Sequence, residues 1–263
     1  MKRFFIILGF LLCATTVMAQ NFRQNCVVAH RGAWKNTGHP QNSLASFRAA
    51  AEMGCHGSEC DVHLTVDDSL VVTHDPTYNG LEIEHAKYAD LIKKPLKNGE
   101  KLPTLREYIA FVKKQRGTKL IIDVKNIGSD EHAVAIGVAT AKLVKEMKAE
   151  PWVEYLVAHI PTYDAMREIT SLPIAYLGRW KVELPEMHPD EVQKRGIKAI
   201  DYQDIHLFNH PDWVDTFRQR GVHLNAWTIN SEEGMTWFLD RKFDYITTDN
   251  PERLLERVKT GKY

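Results

Sequence analysis

The residues able to do chemistry fall in a few short stretches, and the densest is Ser58 to Asp75, SECDVHLTVDDSLVVTHD. Glu59, Asp61 and His63 alternate there with Cys60, Val62 and Leu64. Alternate residues of a strand share a face, so two carboxylates and an imidazole are predicted to point one way and the apolar groups the other. A face crowded with acids is costly unless something positive sits against it. A divalent cation held by carboxylate oxygens meets that need. The run turns at Asp67-Asp68 and returns to His74-Asp75.

Other stretches extend the set. His30-Arg31-Gly32 follows the apolar Val27-Val28-Ala29, and Asp123 and Lys125 lie two apart in KLIIDVK, where they share one face. Glu59, Asp61 and Asp123 together suit a hard cation, Ca²⁺ or Mg²⁺, with positions left for substrate oxygens. Arg31 and Lys125 add positive charge suited to a phosphate. His30 and His74 could act as base and acid on either side of a phosphorus. Cation, clamp, acid and base describe phosphodiester cleavage. A retaining glycosidase needs two carboxylates flanking the bond and leaves the histidine pair unexplained.

Each residue also has a plainer reading. His30 could be a satisfied buried histidine and Arg31 a rim residue paired with an acid, while Asp123 and Lys125 could neutralise each other. Trp227 reads first as packing and is kept as a substrate-side contact. Asp249-Asn250-Pro251 reads as a helix cap, so Asp249 receives no catalytic role. His63, His206, His210 and His223 show no partner pattern and read as structural.

The elements that must position these groups alternate strand and helix. Val27–His30 opens the series, and Ser43 to Met53 reads as a helix closed by Gly54. Residues 76–103, with Pro76, Gly80, Pro95, Gly99 and Pro103, read as an inserted excursion. Thr104 then caps a helix over Leu105 to Gln115, with Glu107 as capping-box partner. Strands are predicted at Lys119–Lys125, Tyr155–Ala158, Ile174–Leu177, Ile200–Tyr202, His223–Ile229 and Tyr245–Thr248, with helices between. That makes about eight strand–helix units, the number that closes a parallel barrel. An open doubly wound sheet would want a Gly-rich phosphate loop after its first strand, and none follows. In a barrel, His30, His74, Asp123, Trp227 and Asp249 all fall at the strand ends where barrel enzymes place their chemistry.

Composition bounds the rest. Lys2-Arg3, an apolar run from Phe4 to Val17 and small residues at Val17 and Ala19 read as a secretory signal peptide over residues 1–19, which predicts a secreted or periplasmic protein without a membrane anchor. The 263-residue chain carries 34 basic and 34 acidic residues, and removing Lys2 and Arg3 leaves a net charge of −2. No basic stripe calls for nucleic acid. Cys26, Cys55 and Cys60 remain after cleavage, room for at most one disulfide.

These residues resemble the glycerophosphodiester phosphodiesterases. The resemblance runs from about Val27 to the end of the chain. It rests on HRG at His30–Gly32, Glu-x-Asp at Glu59/Asp61, His-Asp-Pro at His74–Pro76, PTLREY at Pro103–Tyr108, WTIN at Trp227–Asn230 and TDNP at Thr248–Pro251. It implies a TIM barrel, (β/α)₈, with a small insertion after the second strand, and cleavage of deacylated phospholipids to glycerol 3-phosphate and an alcohol. It further implies His30 and His74 as the catalytic pair, Glu59, Asp61 and Asp123 as metal ligands, and Arg31 and Lys125 as phosphate contacts. Two positions depart from the family pattern. Gln41 stands where a carboxylate is usual, and Asp123 where Glu is usual, one methylene shorter. Two other readings remain open: a related barrel acting on larger lipids, of lysophospholipase D or phosphatidylinositol lipase type, and a phosphodiester-binding barrel without turnover.

Overall fold

A computed structural model describes residues 22–178 and 187–261; the signal peptide expected at residues 1–19 lies outside them. The chain runs β1 (Val27–Ala29), α1 (Leu44–Met53), β2 (Gly57–Leu64), β3 (Leu70–Val72), β4 (Thr77–Tyr78), β5 (Leu81–Glu82), α2 (Tyr88–Leu91), α3 (Leu105–Val112), β6 (Lys119–Val124) and α4 (Asp130–Glu146). It continues with β7 (Val153–Val157), α5 (Ile160–Arg167), β8 (Ile174–Gly178), α6 (Pro189–Lys194), β9 (Ala199–Gln203), α7 (Asp204–Asn209) and α8 (Pro211–Gln219). β10 (His223–Trp227), α9 (Glu232–Asp240), β11 (Tyr245–Thr248) and α10 (Pro251–Thr260) complete it.

Eight of these strands close a parallel barrel in the order β1-β11-β10-β9-β8-β7-β6-β2, sealed by pairing of β1 with β2 at Val28–Gly57. β3 adds antiparallel to β2, so the polar strand and its return form a hairpin. The predicted (β/α)₈ barrel with an excursion after the second strand is the observed architecture.

Strand alternation sorts the core into two layers. Cys60, Val62, Ile122, Val124, Tyr155 and Val157 face outward against the helices. Val28, Ile121, Leu156, Ala175, Leu177 and Ala199 fill the barrel interior. Glu59, Asp61 and Asp123 share the inward parity, which forces charge into the barrel. A carboxylate there costs several kcal/mol unless it is paired, so the interior must supply partners.

The helices start where their capping residues stand. Ser43 accepts from the Ser46 N–H at 3.0 Å, and Gly54 ends α1 at φ 89°. Thr104 and Glu107 form the expected capping box at α3. Burying Phe47 or Leu105 completely contributes roughly 1.5–3 kcal/mol each, more than any single cap.

Some expectations shift. The excursion is more ordered than its Pro and Gly content suggests: β4 and β5 pair, and Ile83, Ala86, Leu91 and Leu102 bury with Val71 as a small core of their own. α7 was not expected; it leaves β9 directly, with no Gly or Pro between them to mark a boundary. The strand predicted to reach Ile229 ends at Trp227. The three cysteines among the described residues are free, and no described helix is long and apolar enough to cross a membrane.

Candidate active site

At the C-terminal ends of the strands a cavity of about 340 Å³ is lined by His30, Arg31, Glu59, Asp61, His74, Asp123, Lys125 and Trp227, together with Asp201 and Gln203. Every residue singled out from the sequence as catalytic, substrate-binding or metal-binding therefore borders one cavity.

The loop after β1 builds one wall. Its Gly32 has φ 82°, and a Cβ there would lie 2.7 Å from the Ser46 carbonyl carbon, so only glycine fits. Arg31 and Asn42 hold left-handed φ values of 55° and 58°, a conformation asparagine tolerates better than most residues. The Arg31 N–H donates to Glu59 at 2.8 Å, and the Asn42 N–H donates to the Arg31 carbonyl at 3.0 Å. Asn42 then clamps Asp61 in both directions: its amide donates to Asp61 Oδ2 at 2.8 Å and its Oδ1 accepts from the Asp61 N–H at 3.1 Å.

Three carboxylates meet two cations here. Glu59, Asp61 and Asp123 bring carboxylate oxygens within 4.8 Å of one another, all buried. Lys125 Nζ bridges Asp61 and Asp123, and Arg31 Nε lies 3.5 Å from Asp61. Burial acts to raise the Asp61 carboxyl, but Lys125, Arg31 and His74 outweigh it and hold it well below the usual range. Glu59 goes the other way: burial, then the charges of Asp61 and Asp123, push it well up. Lys125 is opposed by burial yet held up by Asp123, Asp61 and Glu59.

The donor set fits a hard cation. Asp123 Oδ1 is buried with no hydrogen-bond partner among the described residues, and the burial and acidic neighbours that push Glu59 up are what a bound cation would offset. The plainer reading of Asp123 and Lys125 as a neutralising pair is also realised, but it satisfies only one Asp123 oxygen.

The two histidines are held alike. His30 Nδ1 lies 2.7 Å from Asp249 Oδ1 and His74 Nδ1 lies 2.8 Å from Asp75 Oδ1. Each carboxylate accepts a hydrogen bond from the Nδ1–H, which leaves Nε2 to exchange protons with a substrate. The His30 pair is mostly enclosed, at 16% and 17% exposure, whereas His74 and Asp75 are 40% and 74% exposed. Burial lowers His74 below its ordinary value. His63, read as structural, donates through Nε2 to the His74 carbonyl at 3.1 Å and anchors that loop.

Asp249 corrects the sequence reading. Its carboxylate does not cap α10, and Asn250, the capping residue, makes no side-chain cap bond either. Instead Asp249 accepts from His30, and Asn230 accepts the Asp249 N–H at 2.9 Å while donating to Oδ2 at 2.8 Å. Burial would raise Asp249, but His30 and Asn230 hold it below the ordinary range. A signal existed in the acid ending the eighth barrel strand, but the Asn-Pro that follows explained it too readily. Gln41, where the family carries a carboxylate, accepts from Arg31 Nη1 at 2.9 Å and so still orients the guanidinium. Trp227 combines both of its readings: its indole N–H donates to the Asp201 carbonyl at 3.2 Å, and it borders the cavity.

Comparisons with known proteins agree with this geometry. The profile of the glycerophosphoryl diester phosphodiesterase family matches residues 30–253. A glycerophosphodiester phosphodiesterase of Caldanaerobacter subterraneus is 28% identical over 89% of this chain and 98% of its own length. Glycerophosphodiester phosphodiesterase 1 of Bos taurus is 36% identical over 85% of this chain and 77% of its own. The crystal structure of a glycerophosphodiester phosphodiesterase from Parabacteroides distasonis superposes with a TM-score of 0.84 at 34% identity, covering 92% of this chain and 100% of that one.

Proposed function

The chain belongs to the glycerophosphoryl diester phosphodiesterase family, and from that premise we propose that the cavity at the C-terminal end of the barrel cleaves glycerophosphodiesters with His30 and His74 as the proton-transferring pair. The observation that carries this is the matched tethering of the two imidazoles by carboxylates on their Nδ1 atoms around one cavity.

In this reading Arg31 and Lys125 face the phosphate and Trp227 borders the bound alcohol or glycerol. An attacking hydroxyl, from water or from the vicinal position of the glycerol, gives its proton to one Nε2 as it bonds to phosphorus. The phosphorus–oxygen bond to the alcohol breaks, and the other Nε2–H protonates the departing oxygen. Attack by water gives glycerol 3-phosphate directly; attack by the glycerol hydroxyl gives a cyclic phosphate, which water then opens to glycerol 3-phosphate with the two histidines exchanging roles. Glu59, Asp61 and Asp123 would hold a divalent cation, Ca²⁺ or Mg²⁺, which when bound offsets charge on the phosphoryl oxygens. Phosphorus NMR of the products tests the bond cleaved: glycerol 3-phosphate with free choline supports the reading, and phosphocholine with free glycerol contradicts it.

One observation favours a larger substrate as the second reading. The exposed large apolar side chains Val66, Leu81 and Ile205 lie in the segments between β2 and α3 and directly after β9, the connections that leave the C-terminal ends of those barrel strands. Turnover of lysophospholipid micelles exceeding that of glycerophosphocholine would favour it.

Export rests on residues 1–19 alone, with their basic start, apolar run and Ala19. A mature chain beginning at Gln20 is the expected N-terminal sequence, and a chain still starting at Met1 after fractionation argues against it.

A further inference from the structure

A second and larger cavity, about 880 Å³, lies at the opposite, N-terminal end of the barrel. Every barrel strand except β2 contributes to its wall. Barrel interiors are normally packed solid with branched side chains, but here Ala175 and Ala199 stand where larger groups would close the axis. Leu156, Asp201 and Thr247 form the partition between this cavity and the catalytic one.

Two polar groups that face the barrel axis are without a partner. Asp201 Oδ1 and Asn225 Oδ1 have no hydrogen-bond partner among the described residues. Their residues are 1% and 5% exposed. Each buried polar atom left unpaired costs about 1–3 kcal/mol, so something must meet them. Val28, Ile121, Leu156, Ala175 and Ala199 give the inner part of the cavity an apolar lining beside these two oxygens, a combination that suits an aliphatic body carrying hydroxyls. The volume is that of a small-molecule site. Charges of both signs stand on its wall: Glu154 pairs with Lys119 at 2.5 Å, and Arg167, Glu168 and Lys198 are among the other lining residues. Burial pushes the Asp201 carboxyl well up.

We propose that this cavity is a second binding site, for an uncharged aliphatic molecule whose hydroxyl groups reach Asp201 and Asn225 from the N-terminal end of the barrel. The apolar middle takes the aliphatic body, and the hydroxyls supply the missing donors. The site is separate from the phosphodiesterase cavity, and binding is its readout, so it stands or falls independently of the catalytic reading.

The test is titration of the purified protein with 1,2-hexanediol, followed by amide NMR shifts and calorimetry. Saturable binding is expected, abolished by Ala175→Leu, which fills the cavity, and weakened about tenfold by Asn225→Leu. If Ala175→Leu does not fold, Ala199→Val narrows the same space with a smaller group and must also weaken binding. Absence of saturable binding to the wild-type protein overturns the proposal. So does undiminished binding by the cavity-filling variant, and so does Asn225→Leu binding as tightly as wild type.

Discussion

His30 and Asp249, 219 positions apart in the chain, meet at 2.7 Å between Nδ1 and Oδ1, and that bond fixes which imidazole nitrogen faces the substrate. The barrel makes the meeting possible because β1 and β11 are neighbours, with Ala29 in register with Thr248. Asp249→Asn keeps the shape but can present an amide N–H to Nδ1 and favour the wrong tautomer. A fall in kcat of about 10²-fold, with unchanged circular dichroism, is expected. Wild-type turnover in this variant would remove Asp249 from the account.

The second histidine has a weaker tether. Asp75 is 74% exposed, and an exposed pair contributes about 0–1 kcal/mol, so Asp75→Asn is expected to cost less than about fivefold in kcat. His74→Ala and His30→Ala are each expected to cost about 10²–10⁴-fold. Steady-state kinetics on the three variants separate ring from tether, and an Asp75→Asn loss as large as that of His74→Ala would contradict this division.

Much of this was legible from residue types and spacing. Alternation in Ser58–Leu64 and Lys119–Val124 placed Glu59, Asp61 and Asp123 on one inward face, because strand parity is local. The barrel followed from counting units. What local pattern could not reveal was pairing between elements: the grip of Asn42 on Asp61 and the His30–Asp249 bond join residues brought together only when their strands pair, and the Gln41–Arg31 bond depends on how the loop after β1 folds back on itself. Asn250-Pro251 does start α10, but that local signal gave no sign of the bond that joins the Asp249 carboxylate to His30. α7 escaped because nothing separates it from β9.

The carboxylate cluster makes a prediction about stability. A cation that binds the folded chain alone raises its melting temperature. Millimolar Ca²⁺ or Mg²⁺ is expected to raise Tm by several degrees in the wild-type protein and by much less in Glu59→Gln or Asp123→Asn, measured by differential scanning calorimetry. Equal shifts in all three would place the cation elsewhere.

His63 ties stability to pH. Burial, the largest influence, lowers its ring from the ordinary 6.5 to about 4. Above pH 6.5 the ring is neutral whether the chain is folded or not, and the folded state is not penalised. Between 6.5 and about 4 the unfolded chain binds a proton that the folded one refuses, so stability falls as pH falls. Below about 4 the loss is complete. From pH 6.5 to 5 this amounts to about 2 kcal/mol. Urea unfolding at pH 7 and pH 5 is expected to show a smaller decline in His63→Gln than in wild type, whereas identical declines would exclude His63 as the cause.

In the proposed reaction one cavity joins a cation site to a histidine pair for cleavage of glycerophosphodiesters. A coupled assay for glycerol 3-phosphate, with glycerophosphocholine, glycerophosphoethanolamine and glycerophosphoinositol as substrates, tests both parts together. The expected result is release from at least one substrate, abolished by EDTA and restored by Ca²⁺ or Mg²⁺. Release that persists undiminished in excess EDTA would contradict the cation site, and a folded protein that releases none from any of the three would contradict the reaction itself.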